Sequence, residues 1–180
     1  MAEIIDIDKG DNPLIKWIKE ERIDKKRNVN IVITGNPGTG KTMSGLTIAM
    51  SISPDFNMKY IATGMQDLIN ILLEVIKDPS KHVGRVVVYE EPQEEQYKMR
   101  SNTVEAVSFV QILSTFRSLR LILIMTTPRQ GHFQKEGRDY FDVWLETQGI
   151  DERKELCYLK PKFGYWSEVS RKMFWEFLRI

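Results

Sequence analysis

One cysteine, Cys157, stands alone in 180 residues. No internal disulfide framework can form, and a reducing interior suits such a chain. A single thiol of this kind reads as buried and inert. No stretch approaches the roughly 18 consecutive apolar residues of a membrane-spanning helix. Charge of one sign is also scarce: 26 Lys and Arg against 25 Asp and Glu leave a formal net charge of +1. No global field therefore advertises a nucleic-acid or membrane surface as partner, although a local basic channel remains compatible with that total. Met1 to Asp11 is acidic and lacks the basic-then-apolar order of a secretory signal, so the expected location is the cytoplasm. Internal repeats and low-complexity segments are absent as well.

What is present is the composition of an ordinary folded domain, 42% hydrophobic and 28% charged. The length fits one domain, divided into an N-terminal helical segment (1–27), a core (28–150) and an aromatic, basic C-terminal segment (151–180). Asn12-Pro13 predicts an N-cap with proline at the first helical position, opening an amphipathic helix to Arg27. Asn28 to Thr34 is a β-branched run that reads as a buried strand. Helices are predicted at 43–51, 65–77 and 104–119, and further strands at 59–63, 85–89 and 121–125, with a fifth apolar run at 139–146. Glu94 to Asn102 is polar and reads as a surface loop. Short apolar runs alternating with amphipathic helices predict a parallel sheet with helices on both faces. Ligands in such sheets sit beyond the carboxyl ends of the strands. Three runs end there in chemically useful residues, at Gly35, at Glu90-Glu91 and at Thr126-Thr127.

Gly35-Asn36-Pro37-Gly38-Thr39-Gly40-Lys41-Thr42 matches Gly-x-x-x-x-Gly-Lys-Thr in full, between a predicted strand and a predicted helix. Glycines let successive backbone N–H groups turn around a phosphate, and the helix N-terminus adds its dipole. Lys41 supplies a charge to the β- and γ-phosphates, and the Thr42 hydroxyl is placed to ligate Mg2+. Val86-Val87-Val88-Tyr89-Glu90-Glu91 resembles a Walker B strand with its trailing catalytic glutamate. In that pattern the first acid is usually Asp; Glu90 is one methylene longer, which favours contact with the metal through water. Glu91 is then the base that polarises the attacking water. A solvent-facing acidic strand end is the plainer alternative. Thr127 is placed to sense the γ-phosphate or hold the lytic water, or else belongs to an ordinary turn before Pro128. Arg117, at the end of its helix, reads either as a group reaching a neighbouring subunit's nucleotide or as a cation favoured by the helix dipole.

The order of these pieces resembles a P-loop ATPase of the additional-strand, catalytic-glutamate group. Within it, the segment from Phe116 to Arg129 is similar to the FtsK/HerA-type motor domains, including Zot-like and viral packaging ATPases. Their sensor strand usually ends Thr-Gln, whereas Thr127 is followed by Pro128; Thr-Thr-Pro looks like the coupling motif of large terminase ATPases. The resemblance spans residues 28–150. It implies an α/β, three-layer α-β-α P-loop NTPase fold with a RecA-like, mostly parallel sheet. It also implies ATP and Mg2+ as cofactors, hydrolysis, DNA as partner and a homo-oligomer, with a ring among the options.

Two other functions stay open. One is a nucleotide-dependent switch or assembly factor whose binding, rather than turnover, matters. The other is kinase-like phosphoryl transfer, disfavoured because small kinases typically surround the transferred phosphate with extra basic lid residues. No guanine-reading Asn-Lys-x-Asp is present, which favours ATP over GTP. The aromatic and basic residues after Asp151 suit either a stacking platform for single-stranded nucleic acid, a hydrophobic edge folded onto the core, or a subunit interface.

Overall fold

The computed structural model describes residues 12–25, 27–90, 104–128, 139–154, 156–167, 170 and 172–177. Asn12 caps the first helix as its sequence predicts. Its side-chain oxygen accepts the backbone N–H groups of Leu14 at 2.9 Å and Ile15 at 3.3 Å, and Pro13 follows at the first helical position. The helix α1 (Pro13–Trp17) passes directly into π-helical turns over Ile18–Ile23. Arg22, five residues beyond Trp17, lies 5.0 Å over its ring.

The remaining elements alternate. They are β1 (Val29–Thr34), α2 (Lys41–Ile52), β2 (Ile61–Ala62), α3 (Met65–Lys77), β3 (Val86–Glu90), α4 (Val104–Leu119), β4 (Ile122–Thr127), β5 (Val143–Asp151), β6 (Leu156–Ser167) and β7 (Lys172–Phe177). One seven-stranded sheet runs in the order β2-β3-β4-β1-β5-β6-β7. Strands β1 to β5 pair in parallel, and β6 and β7 are added antiparallel.

Alternation of side chains along β1, β3 and β4 feeds two cores. On one face Val32, Val87, Tyr89, Leu123 and Met125 meet Leu68, Ile71, Leu72 and Val75 of α3 and Leu113 and Phe116 of α4. The α3 residues recur at i, i+3, i+4 and i+7, so the helix buries a single stripe. On the other face Ile31, Ile33, Val88, Ile122 and Ile124 meet Ile48, Ala49 and Ile52 of α2, with Leu14, Ile15 and Ile18 of the N-terminal helix. Helices therefore cover both sides, in the three-layer α-β-α arrangement predicted.

Strands β1, β3 and β4 shift by one or two residues from expectation, and two others differ by more. Only Ile61 and Ala62 pair where 59–63 was expected, because Asn57 caps a 3-10 turn over Met58–Tyr60 and Tyr60 turns into the core instead. The fifth strand starts later and runs to Asp151. Ahead of it Phe141 is buried, and Asp142 ties the strand's start to β1: its backbone N–H donates to the Asn30 carbonyl at 2.8 Å, and its carboxylate accepts the Asn30 N–H at 2.9 Å. Arg22 adds an ion pair to the same carboxylate at 2.9 Å. Burial holds the Asp142 carboxyl above the usual range, while Arg22, the Asn30 N–H and the charge of Arg117 pull it back.

Beyond Asp151 the chain becomes sheet. Phe163 meets Trp17 edge-on at 4.7 Å, and Trp175 meets Trp144 at 5.6 Å. These two aromatics fold onto the core as a hydrophobic edge. Tyr165 and Phe174 instead stack on each other at 5.7 Å and stay exposed.

Candidate functional site

The parallel register places Thr34 beside Thr127, and Ile33 beside Thr126, which in turn faces Glu90 across the β3–β4 pair. The carboxyl ends of β1, β4 and β3 thus form one edge. The glycine-rich loop leaves β1 at this edge, and α2 begins at Lys41 behind Gly40. Gly40 caps the helix with φ 84°, a left-handed conformation that a side chain rarely adopts.

Thr42, in the first turn of α2, donates from Oγ1 to Oε1 of Glu90 at 2.5 Å. That contact joins the loop to the acidic strand end across 48 residues. Lys41 donates from Nζ to the Asn36 carbonyl at 2.9 Å. Burial pulls its ammonium below the ordinary lysine value, and the Glu90 carboxylate partly offsets this. Thr39 donates to the same Asn36 carbonyl at 2.7 Å, closing the loop on itself.

Thr127 ends β4 almost fully buried, and its Oγ1 has no hydrogen-bond partner among the described residues. Alternation separates it from Thr126. Thr126 lies under Gly45 of α2, whereas Thr127 shares the face of Met125 and stands beside Thr34. Arg117 is brought to a different place. It is exposed near the end of α4, just ahead of Ile122, the residue that pairs with Val29 at the far edge of the sheet. Its charge bears on Asp142 there. Glu91 and the predicted surface loop at 94–102 lie outside the described residues.

The chemistry of the donors fits a hard cation. Thr42 and Glu90 present one hydroxyl and one carboxylate, and Mg2+ typically takes one or two protein oxygens while keeping waters and phosphate oxygens. Among the described residues no group of three or more His, Cys, Asp or Glu side chains gathers to hold a metal by itself.

Two residues outside the sequence-derived site, Thr147 and Cys157, also touch the loop, and Trp144 holds the end of β1 beside it. Thr147 of β5 lies 2.6 Å from Thr39, hydroxyl to hydroxyl, and its Oγ1 is also within hydrogen-bond distance of the Thr34 carbonyl, at 3.1 Å. Trp144 donates from Nε1 to the Thr34 hydroxyl at 2.6 Å. Cys157 of β6 donates from Sγ to the Thr39 carbonyl at 3.1 Å; it is half-buried rather than fully enclosed. No local pattern marks these contacts, because each spans more than 100 positions.

Thr147 explains Gly35. A Cβ there would fall 1.8 Å from the Thr147 Oγ1 and 2.9 Å from the Thr39 Oγ1, at φ +155°. Gly35→Ala must therefore displace β5 or the loop. Strained backbone alone costs about 1–3 kcal/mol, so a denaturant titration is expected to show at least that loss of stability, together with lost nucleotide binding.

No protein-family model matches this sequence, and no curated protein matches it. Solved structures do. The N-terminal domain of zonular occludens toxin from Neisseria meningitidis is similar over 86% of this chain and 95% of its own, with 14% identity and a TM-score of 0.50. A DNA polymerase III gamma subunit-related protein from Thermotoga maritima is similar over 78% of this chain, with 12% identity and a TM-score of 0.53. The match spans 47% of that second protein's length. At such identities the likeness is one of fold, and the fold is the RecA-like, three-layer α-β-α arrangement with a mostly parallel sheet.

Proposed function

We propose that this chain binds and hydrolyses ATP with Mg2+, and that it works on DNA as an oligomeric translocating or packaging motor domain of the additional-strand, catalytic-glutamate group. The observation that carries the reading is the 2.5 Å bond from Thr42 to Glu90. It joins the residue after the phosphate-binding lysine to the acid at the end of β3, although β4 stands between β1 and β3. A sheet with a strand inserted between the phosphate loop and the acidic strand agrees with the additional-strand resemblance. The fold likeness to the zonular occludens toxin domain agrees with its Zot-like branch.

In this reading the loop 35–42 holds the phosphates through its backbone N–H groups and the dipole of α2, and Lys41 balances their charge. Thr42 and Glu90 would hold Mg2+, which when bound neutralises charge on the phosphate oxygens. Glu91 takes the proton of the attacking water as it adds to the γ-phosphorus, and ADP departs with the electrons of the broken bond. Thr127, buried at the same edge with a hydroxyl that has no partner among the described residues, would read the γ-phosphate. Arg117 lies at the opposite edge, so any contact it makes with a triphosphate is with that of another subunit. Among the described residues no helix is long and apolar enough to cross a membrane, and a cytoplasmic role is part of the proposal.

The test is steady-state ATP turnover with and without single- and double-stranded DNA, alongside mass in solution. The expected result is DNA-stimulated turnover by an oligomer. Glu91→Gln should lower the rate by about 100-fold or more, the usual contribution of a general base, while ATP affinity stays within about threefold. Normal turnover by that variant would remove Glu91 from the mechanism. Slow hydrolysis indifferent to DNA, with a nucleotide-dependent change of mass, would identify a switch instead of a motor.

A further inference from the structure

The hairpin of β5 and β6 overhangs the phosphate loop. Ile150 and Cys157, register partners at its tip, lie 3.1–3.4 Å from where a Cβ on Gly40 would be. Thr147 sits at the start of a register shift, with Gly149 at φ 141° just beyond it. Bulges of this kind re-aim a side chain out of the regular ladder. The Thr147 hydroxyl is aimed at Thr39 and at the Thr34 carbonyl, and only 7% of the residue is exposed.

Each hydroxyl has one proton to give. Either Thr147 donates to Thr39 and Thr39 to the Asn36 carbonyl, or Thr39 donates to Thr147 and Thr147 to the Thr34 carbonyl. Both arrangements connect the middle of the loop to β5, and the second also reaches the Thr34 carbonyl at the end of β1. The Thr39 backbone is held a second time from β6, through the Cys157 thiol on its carbonyl.

We propose that the β5–β6 hairpin is the positioning element of the phosphate loop, that Thr147 is its positioning residue, and that nucleotide affinity is thereby set from outside the loop. The proposal rests on the nucleotide-binding reading above. Preorganised N–H groups bind a phosphate without first ordering the loop, so loosening the clamp moves that ordering cost into the binding step. Movement of the hairpin tip would transmit to the loop by the same bonds, and phosphate binding would be felt at the tip in return.

ATP binding by calorimetry, with magnesium present, tests this on the full chain. Thr147→Val keeps the shape and removes the hydroxyl; its dissociation constant is expected to rise about tenfold, as the loss of one preorganising hydrogen bond implies. Thr147→Ser keeps the hydroxyl and should stay within about twofold of the unaltered chain. Thr39→Val removes the partner group. Combining it with Thr147→Val should cost much less than the two separate effects together, because the pair shares one interaction. A purely structural Thr147 would lower the unfolding temperature without that coupling in ATP affinity, and so overturn the proposal. Thr147→Val binding ATP as tightly as the unaltered chain, or additive effects in the double variant, would do the same while leaving the nucleotide reading intact. Absence of ATP binding by the unaltered chain would remove both.

Discussion

Lys41→Ala is expected to weaken ATP binding by about 100-fold, near the upper end of the 1.5–3 kcal/mol typical of a hydrogen bond to a charged group. Lys41 is half-buried, its ammonium held 2.9 Å from the Asn36 carbonyl by the loop it serves. Burial already disfavours its charge, and the Glu90 carboxylate restores only part of that loss. A bound polyphosphate would supply the missing negative charge at short range. The alanine variant should fold normally, because it deletes a charge that burial penalises and leaves the loop backbone in place. Calorimetric titration with ATP, alongside the unfolding temperature of the nucleotide-free protein, separates the two effects. An alanine variant that binds ATP like the unaltered chain would remove the phosphate role of the loop altogether.

The second large effect concerns stability. Phe116→Ala is expected to destabilise the fold by about 3–5 kcal/mol, the range for emptying a buried aromatic site. Phe116 is completely buried. It sits between α4 and the sheet, in the core that also holds Leu123, Met125 and Leu113. The backbone around it has little room to collapse, since α4 ends there in a tight turn: the Leu121 N–H closes onto the Phe116 carbonyl at 3.1 Å, and Arg120 takes φ 57°. For a chain of this size the same loss corresponds to a fall of about 10 °C in melting temperature. Urea unfolding with an unchanged slope and a shifted midpoint would report it. A loss below about 1 kcal/mol would mean that the space refills, contrary to the packing described.

Much of this arrangement is local and therefore legible in the chain. The loop 35–42 carries its own punctuation: glycines where positive φ is needed, then a lysine and a threonine at the first turn of a helix. The helix at 65–77 has the bounds its apolar spacing and Asp78-Pro79 predict. The buried strands β1, β3 and β4 are mostly β-branched or apolar runs, with Asn30 the polar exception inside β1. Less could be read where burial is partial. β6 alternates poorly because its residues are half-exposed, and β2 is a two-residue edge whose neighbour Tyr60 prefers the core.

The Gly35–Thr42 loop, the apolar faces of the helices and the positions of the main strands were thus determined by the amino-acid sequence, since each depends on residues within a few positions of one another. Pairings between distant segments were decided by the tertiary structure alone. Glu90 meets Thr42 only because β3 and β1 flank β4 in register. Arg117 faces the opposite edge because α4 returns antiparallel to the strands before β4 begins. Thr147 and Cys157 reach the loop only because β5 pairs with β1 and then turns back as β6. Period and propensity specify which face of a segment is buried, but not which segment it is buried against; that choice follows from strand order, which minimises exposed edge and apolar surface over the whole chain at once.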